Sequence, residues 1–162
     1  MDRHDPTSSR ALLSVTFESF VEASASRLRS ALVAAYGPDV GADATAAALS
    51  YGWENWDRLS TMTNPAGYLY RVGQTAARRS TPRQGFLPAP PPDELPHFEP
   101  GLLPALEELS ESQRVAVVLV HGFGWTQAEV AELLDVSPST IRTHIARALT
   151  KLQSALEVEP HV

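Results

Sequence analysis

The chain has 162 residues, 43% of them hydrophobic, with no cysteine and a formal net charge of −6. That length holds one ordinary domain or two small ones, and the lack of cysteine excludes disulfides, thiolate metal sites and thiol catalysis. The polar start MDRHDPTSSR has no apolar signal core, and no apolar run approaches the roughly 18–20 residues that cross a bilayer, so a soluble cytoplasmic protein without membrane insertion is expected.

Residues up to about Leu13 read as a frayed tail. A helical pattern starts near Thr16, where Phe17, Phe20, Val21, Leu28, Leu32 and Tyr36 recur at helical spacing and Gly37-Pro38 ends the run. Asp39 is placed to cap the next helix. That helix carries apolar residues around most of its circumference, among them Val40, Ala44, Ala48, Leu49, Trp53 and Trp56. Gly41 and Gly52 are expected to weaken it by about 1 kcal/mol each relative to Ala. A polar loop, Asp57 to Thr63, leads to Asn64-Pro65, a cap followed by a first-turn proline. The helix from Pro65 to about Ser80 sets Tyr68, Leu69, Val72 and Ala76 on one face and leaves Arg71, Arg78 and Arg79 for water or a ligand. Residues 81–101 hold seven prolines, from Pro82 to Pro100, and read as a semi-stiff spacer between two domains.

Beyond the spacer, Leu102 to Leu109 reads as a short helix, and Ser110 with Gln113 forms a capping box. The β-branched run RVAVVLVHGF is assigned to helix, ending near His121-Gly122, because a lone strand has no partner in a helical chain. Thr126 with Glu129 forms a second capping box, and the helix behind it runs to Leu134. Asp135 stands at a tight turn and tolerates a left-handed backbone. Ser137-Pro138 then opens a last helix with Ile141, Ile145, Ala148, Leu149, Leu152 and Leu156 inward. The expected fold is all-α: two small helical domains, residues 14–80 and 102–157, joined by the proline-rich linker, with a helix-turn-helix in the second.

Charge is unevenly distributed. No Asp or Glu lies between Arg58 and Pro92, and none between Val136 and Ser154, while nine of the 19 acids cluster between Asp93 and Asp135. Two basic islands in an acidic chain suit local contacts with DNA and disfavour non-specific coating of it. In the last helix Arg142, Thr143, Ala146 and Arg147 must face outward if Ile141 and Ile145 face inward, with Ser139 and Thr140 in the first turn. Small hydroxyls at a helix N-terminus suit phosphate, arginines reach guanine edges or phosphates, and a threonine can meet a thymine methyl group. His144 lies on the same helix. The first island joins Arg58, Arg71, Arg78 and Arg79 to Tyr68 and Tyr70, a combination suited to unstacked bases. Trp53 and Trp56 are assigned to the core. No histidine pair has metal-ligand spacing with a carboxylate, and no glycine-rich phosphate loop is present, so neither an enzyme nor a cofactor or metal is expected.

The stretch LEELSESQRVAVVLVHGFGWTQAEVAELLDVSPSTIRTHIARALTKL resembles region four of the extracytoplasmic-function (ECF) group of bacterial sigma factors, and NPAGYLYRVGQTAARR is similar to the end of that group's region two. The resemblance implies a protein that binds core RNA polymerase and promoter DNA and performs no covalent chemistry itself. It implies that Ser139, Thr140, Arg142, Thr143, His144 and Arg147 read the upstream (−35) element as duplex. Arg58, Asn64, Tyr68, Arg71, Arg78 and Arg79 would serve the −10 element, which opens by capture of a flipped base. It places Asp43, Ala46, Ala47 and Ser50 on the polymerase-binding helix, with Ala46 and Ala47 where the family carries Gln-Glu, and it implies an anti-sigma factor or other regulator as a further partner. The acids Asp93, Glu94 and Glu99 would lie with the linker near a basic nucleic-acid channel. Two rival readings remain: an activator of the response-regulator type, whose DNA-binding helix TIRTHIARALTKL also resembles, and a degenerate sigma-like protein acting only through a regulatory partner.

Overall fold

The computed structural model describes residues 6–80 and 101–157. Every regular element among them is a helix: α1 Pro6–Tyr36, α2 Pro38–Glu54, α3 Trp56–Leu59, α4 Pro65–Arg79, α5 Leu102–Glu107, α6 Glu111–Val117, α7 Gln127–Leu134 and α8 Pro138–Glu157. The proline-rich spacer, Gly101 apart, lies outside the described residues, as do Asp93, Glu94 and Glu99. None of the described helices is long and apolar enough to cross a membrane.

Four expectations for the N-terminal helices need correction. Helix α1 begins at Pro6, some ten residues earlier than the apolar pattern, because nothing between Pro6 and Thr16 breaks a helix and proline fits a first turn. Asp39 does not cap α2: the cap position is Gly37, whose φ of 88° needs glycine, and Pro38 follows as the first helical residue. Part of the expected Asp57–Thr63 loop is the helical turn α3, which buries Trp56 and Leu59. Gly41, in turn, is no weak point. A Cβ there would stand 2.6 Å from the Val33 backbone, so the missing side chain is what lets α2 cross α1 at close range.

Helices α1, α2 and α4 pack on one another around Leu28, Leu32, Ala44, Ala48, Leu59 and Leu69. The C-terminal helices assemble on α8, which α5, α6 and α7 all touch. The same apolar cluster continues from the first set into the second through Val115, Ala116, Leu119, Val130, Leu133, Ile141 and Ile145, while Ala105, Leu109, Val117, Ala148 and Leu152 form a smaller one beneath α5. Both capping boxes form as expected, Ser110 with Gln113 and Thr126 with Glu129. The β-branched run is helical, and α6 widens after Val117 into one π turn, Val118–Gly122. Leu149, expected inward, is exposed: the buried stripe of α8 runs from Ile141 and Ile145 to Ala148 and Leu152, and Leu149 falls beyond its rim.

The Glu129 carboxylate is held below the ordinary glutamate range, first by the Thr126 backbone N–H and then by Arg27. Replacing Thr126 with Ala removes the hydroxyl that accepts from the Glu129 N–H. The expected cost is about 1 kcal/mol, read as a lower urea midpoint at unchanged slope.

Candidate nucleic-acid interface

The helix-turn-helix is built by local chemistry. Helix α7 ends in a Schellman arrangement, in which the Val136 N–H donates to Ala131 O at 3.0 Å and the Asp135 N–H to Glu132 O at 3.2 Å. Asp135 takes the left-handed conformation, with φ 55° and ψ 48°, as expected for its place in the turn. The Ser137 hydroxyl then accepts from the Thr140 N–H at 3.2 Å, and Pro138 begins α8. Ile141 and Ile145 are buried, which fixes the rotation of the helix. Ser139, Arg142, Thr143, Ala146 and Arg147 are exposed together on the outer face.

The chemistry of that face is specific. Thr143 donates its hydroxyl proton to Ser139 O at 3.0 Å, so toward DNA it offers a methyl group and an acceptor, not a donor. Ser137 shares hydroxyl contacts with Ser139 at 2.9 Å and Thr140 at 2.8 Å, a cluster of rotatable donors in the first turn. Arg142 and Arg147 supply the positive charge. His144 is only half exposed, and its Nδ1 is out of water without a hydrogen-bond partner, so it stands apart from the outward group.

The N-terminal candidates are arranged differently from the sequence pattern. Arg58 lies over the Tyr68 ring, 5.4 Å from its centroid, and donates to the Tyr51 hydroxyl at 2.6 Å. Asn64 caps α4 as expected, accepting from the Gly67 N–H at 2.9 Å, and its amide also donates to Glu132 O. Arg71 pairs with Asp135 at 3.2 Å and Arg78 with Glu111 at 3.2 Å, while Gln74 donates to Glu111 at 2.7 Å. Two of the three arginines expected to face water or a ligand thus face acids of the C-terminal helices; Arg79 is exposed. Tyr70, grouped by sequence with the base-stacking aromatics, is buried, and that burial raises its phenol pKa well above the ordinary value. Trp56 is core as expected, but Trp53 is 50% exposed, resting its edge against Phe17.

Around these side chains lies a cavity of about 260 Å³, lined by Met62, Thr63, Asn64, Gly67, Tyr68, Arg71 and Asp135. Asp43, Ala46, Ala47 and Ser50 are all exposed on α2.

One residue of structural weight escaped the sequence reading. Arg114 sits within an apolar run, half-buried, and donates to Ala35 O at 2.6 Å near the C-terminal end of α1 and to Leu109 O at 3.3 Å. Burial lowers its pKa, and the acceptors at the helix end keep the charge tolerable. A lone arginine among valines was the available signal.

Residues 102–152 match the family described as sigma-70, region 4. A solved structure described as the sigma factor RpoE in complex with the anti-sigma factor NepR, from Bartonella quintana, is similar with a TM-score of 0.61. It aligns over 90% of this chain and 99% of that one, at 19% sequence identity, a likeness of fold. No curated protein matches the sequence significantly.

Proposed function

We propose that this chain, a sigma-70 region 4 protein by its residues 102–152 and a sigma factor in overall fold, directs transcription initiation as an ECF-type sigma factor bound to core RNA polymerase. The observation that carries this reading is the outer face of α8. Arg142, Thr143 and Arg147 stand clear of the protein on a rigid, capped helix, with no acid between Val136 and Ser154 to repel DNA. That face enters the major groove of the upstream promoter element, with arginines to guanine edges or phosphates and the Thr143 methyl to thymine.

The exposed face of α2, with Asp43, Ala46, Ala47 and Ser50, is assigned to core polymerase. Arg58, Tyr68, Arg71 and the cavity beside them are assigned to the unpaired strand of the downstream element, an aromatic and cationic site suited to an unstacked base. Asn64 supports that site by fixing the start of α4. An anti-sigma factor is the regulatory partner such a protein would have, and these partners place it in the cytoplasm.

Replacing Arg147 with Ala should weaken promoter binding by about 1–3 kcal/mol if the side chain reads a base, with the loss confined to one position of the upstream element. An equal loss on every sequence, with a shallower salt dependence, would make it a phosphate contact. The test of the whole reading is pull-down with core polymerase followed by run-off transcription. A chain that never associates with polymerase would instead be a sigma-like partner of some regulator, a reading favoured by the small side chains of Ala46 and Ala47 on the α2 face.

A further inference from the structure

We infer that Tyr51 of α2 is a positioning residue of the single-strand site: its hydroxyl holds the Arg58 guanidinium over the Tyr68 ring, so that one unit offers a ring to a base and a cation to the adjoining phosphate. The inference rests on assigning Arg58, Tyr68 and the cavity beside them to unpaired DNA. Tyr51 has no part in that assignment, and no spacing rule in the sequence links it to the other two.

Three helices bring the group together. Tyr51 lies in α2, Arg58 in α3 and Tyr68 in α4. Arg58 Nη2 donates to the Tyr51 hydroxyl at 2.6 Å, and its guanidinium carbon lies 5.4 Å from the Tyr68 ring centroid. The Tyr51 and Tyr68 rings tilt by 31° with centroids 6.2 Å apart, and their hydroxyls are 3.5 Å apart. The supports beneath are firm. Trp56 and Leu59 are buried on either side of Arg58 and anchor α3, and both tyrosines pack against the main core.

The arrangement divides the work. Tyr68 lines the cavity, whereas Tyr51 and Arg58 do not, so the pair braces the ring from outside the space a base would fill. Arg58 is exposed, and a free arginine of that kind loses considerable rotamer entropy when it orders on a ligand. The Tyr51 hydroxyl and the Tyr68 face order it in advance, which lowers the cost of binding. A guanidinium carries several N–H donors in a planar fork, and Tyr51 engages one edge of it, so the exposed remainder is open to a phosphate. Lysine could not replace it, because an ammonium has no plane to lay over a ring.

The test uses the full chain at saturating core polymerase, with polymerase alone as the blank. Two labelled probes are read by anisotropy: a random-sequence pool of short single-stranded DNA, and a strand of the same length built from abasic units. Unfolding midpoints in urea are measured for each variant. Tyr51→Phe, which removes only the hydroxyl, should weaken binding of both probes several-fold at an unchanged midpoint. It should cause no further loss in an Arg58→Ala background, as expected of a group that acts through Arg58. Arg58→Lys, a surface change that keeps the charge, should lose affinity as Arg58→Ala does. Tyr68→Ala should weaken the pool by about tenfold or more and the abasic strand far less, the mark of base stacking.

Parent-like binding by Tyr51→Phe while Tyr68→Ala is impaired would overturn the role of Tyr51 and leave the single-strand site standing. So would an equal further loss from Tyr51→Phe with Arg58 present or absent. Parent-like binding by both Tyr68→Ala and Arg58→Ala would overturn the site assignment and this inference with it.

Discussion

Replacing Leu32 with Ala is expected to destabilise the protein by about 2–5 kcal/mol, the range for removing a large aliphatic side chain from a packed core. Leu32 is fully buried where α1, α2 and α4 meet. Its methyl groups lie over Gly73 of α4: a Cβ there would stand 2.6 Å from Leu32 Cδ1 and 3.4 Å from Ala44 O. The two positions should therefore be strongly coupled. In the parent chain Gly73→Ala overpacks the junction and costs about 1–3 kcal/mol. Once Leu32 is Ala, the clash is gone, the new methyl fills part of the hole, and alanine is the better helix former by up to about 1 kcal/mol. Gly73→Ala should then be stabilising in the Leu32→Ala background, a reversal of sign that urea denaturation of the four proteins would detect. Additive effects would mean that the junction collapses around the cavity without involving Gly73.

Gly41→Ala is the second large expectation, at about 3 kcal/mol, the upper end of the overpacking range. Helix propensity alone predicts the opposite, a gain of about 1 kcal/mol, so the sign of the change decides between the two effects. The difference from Gly73 lies in what the methyl group meets. At Gly73 the obstacle is the end of a flexible side chain. At Gly41 it is backbone: Val33 Cα and N at 2.6 Å and Leu32 C at 2.8 Å. No rotamer change relieves that contact. Helices α1 and α2 would have to separate, and the tight Gly37 turn between them limits how far they can. A Gly41→Ala protein with an unchanged or raised urea midpoint would show that the crossing can slide at little cost.

Local features were legible in the sequence because they are made by neighbours. Both capping boxes, the Asn64 cap, the left-handed Asp135 and the inward Ile141 and Ile145 depend on residues a few positions apart, and all are found as expected. The outward face of α8 followed from the same periodicity. The start of α1 was missed because apolar spacing reports which side of a helix is buried, not where the helix begins. Gly41 was misjudged for a related reason: propensity scores a glycine against an isolated helix, whereas its role here is set by the backbone of another.

Tertiary structure alone decided the remainder. Trp53 and Trp56 are three positions apart on neighbouring turns, yet one is half in water and the other is buried, because only Trp56 lies beneath both Phe17 and Phe20. Tyr70 looked like a stacking aromatic until packing buried it. The sequence determined a helical protein with a basic, acid-free reading helix behind a capped turn. It could not determine that Arg71 answers Asp135, 64 residues away, or that Arg78 answers Glu111, 33 residues away. Charge partners at that separation are chosen by how two apolar surfaces dock, and no spacing rule along a single chain records that choice.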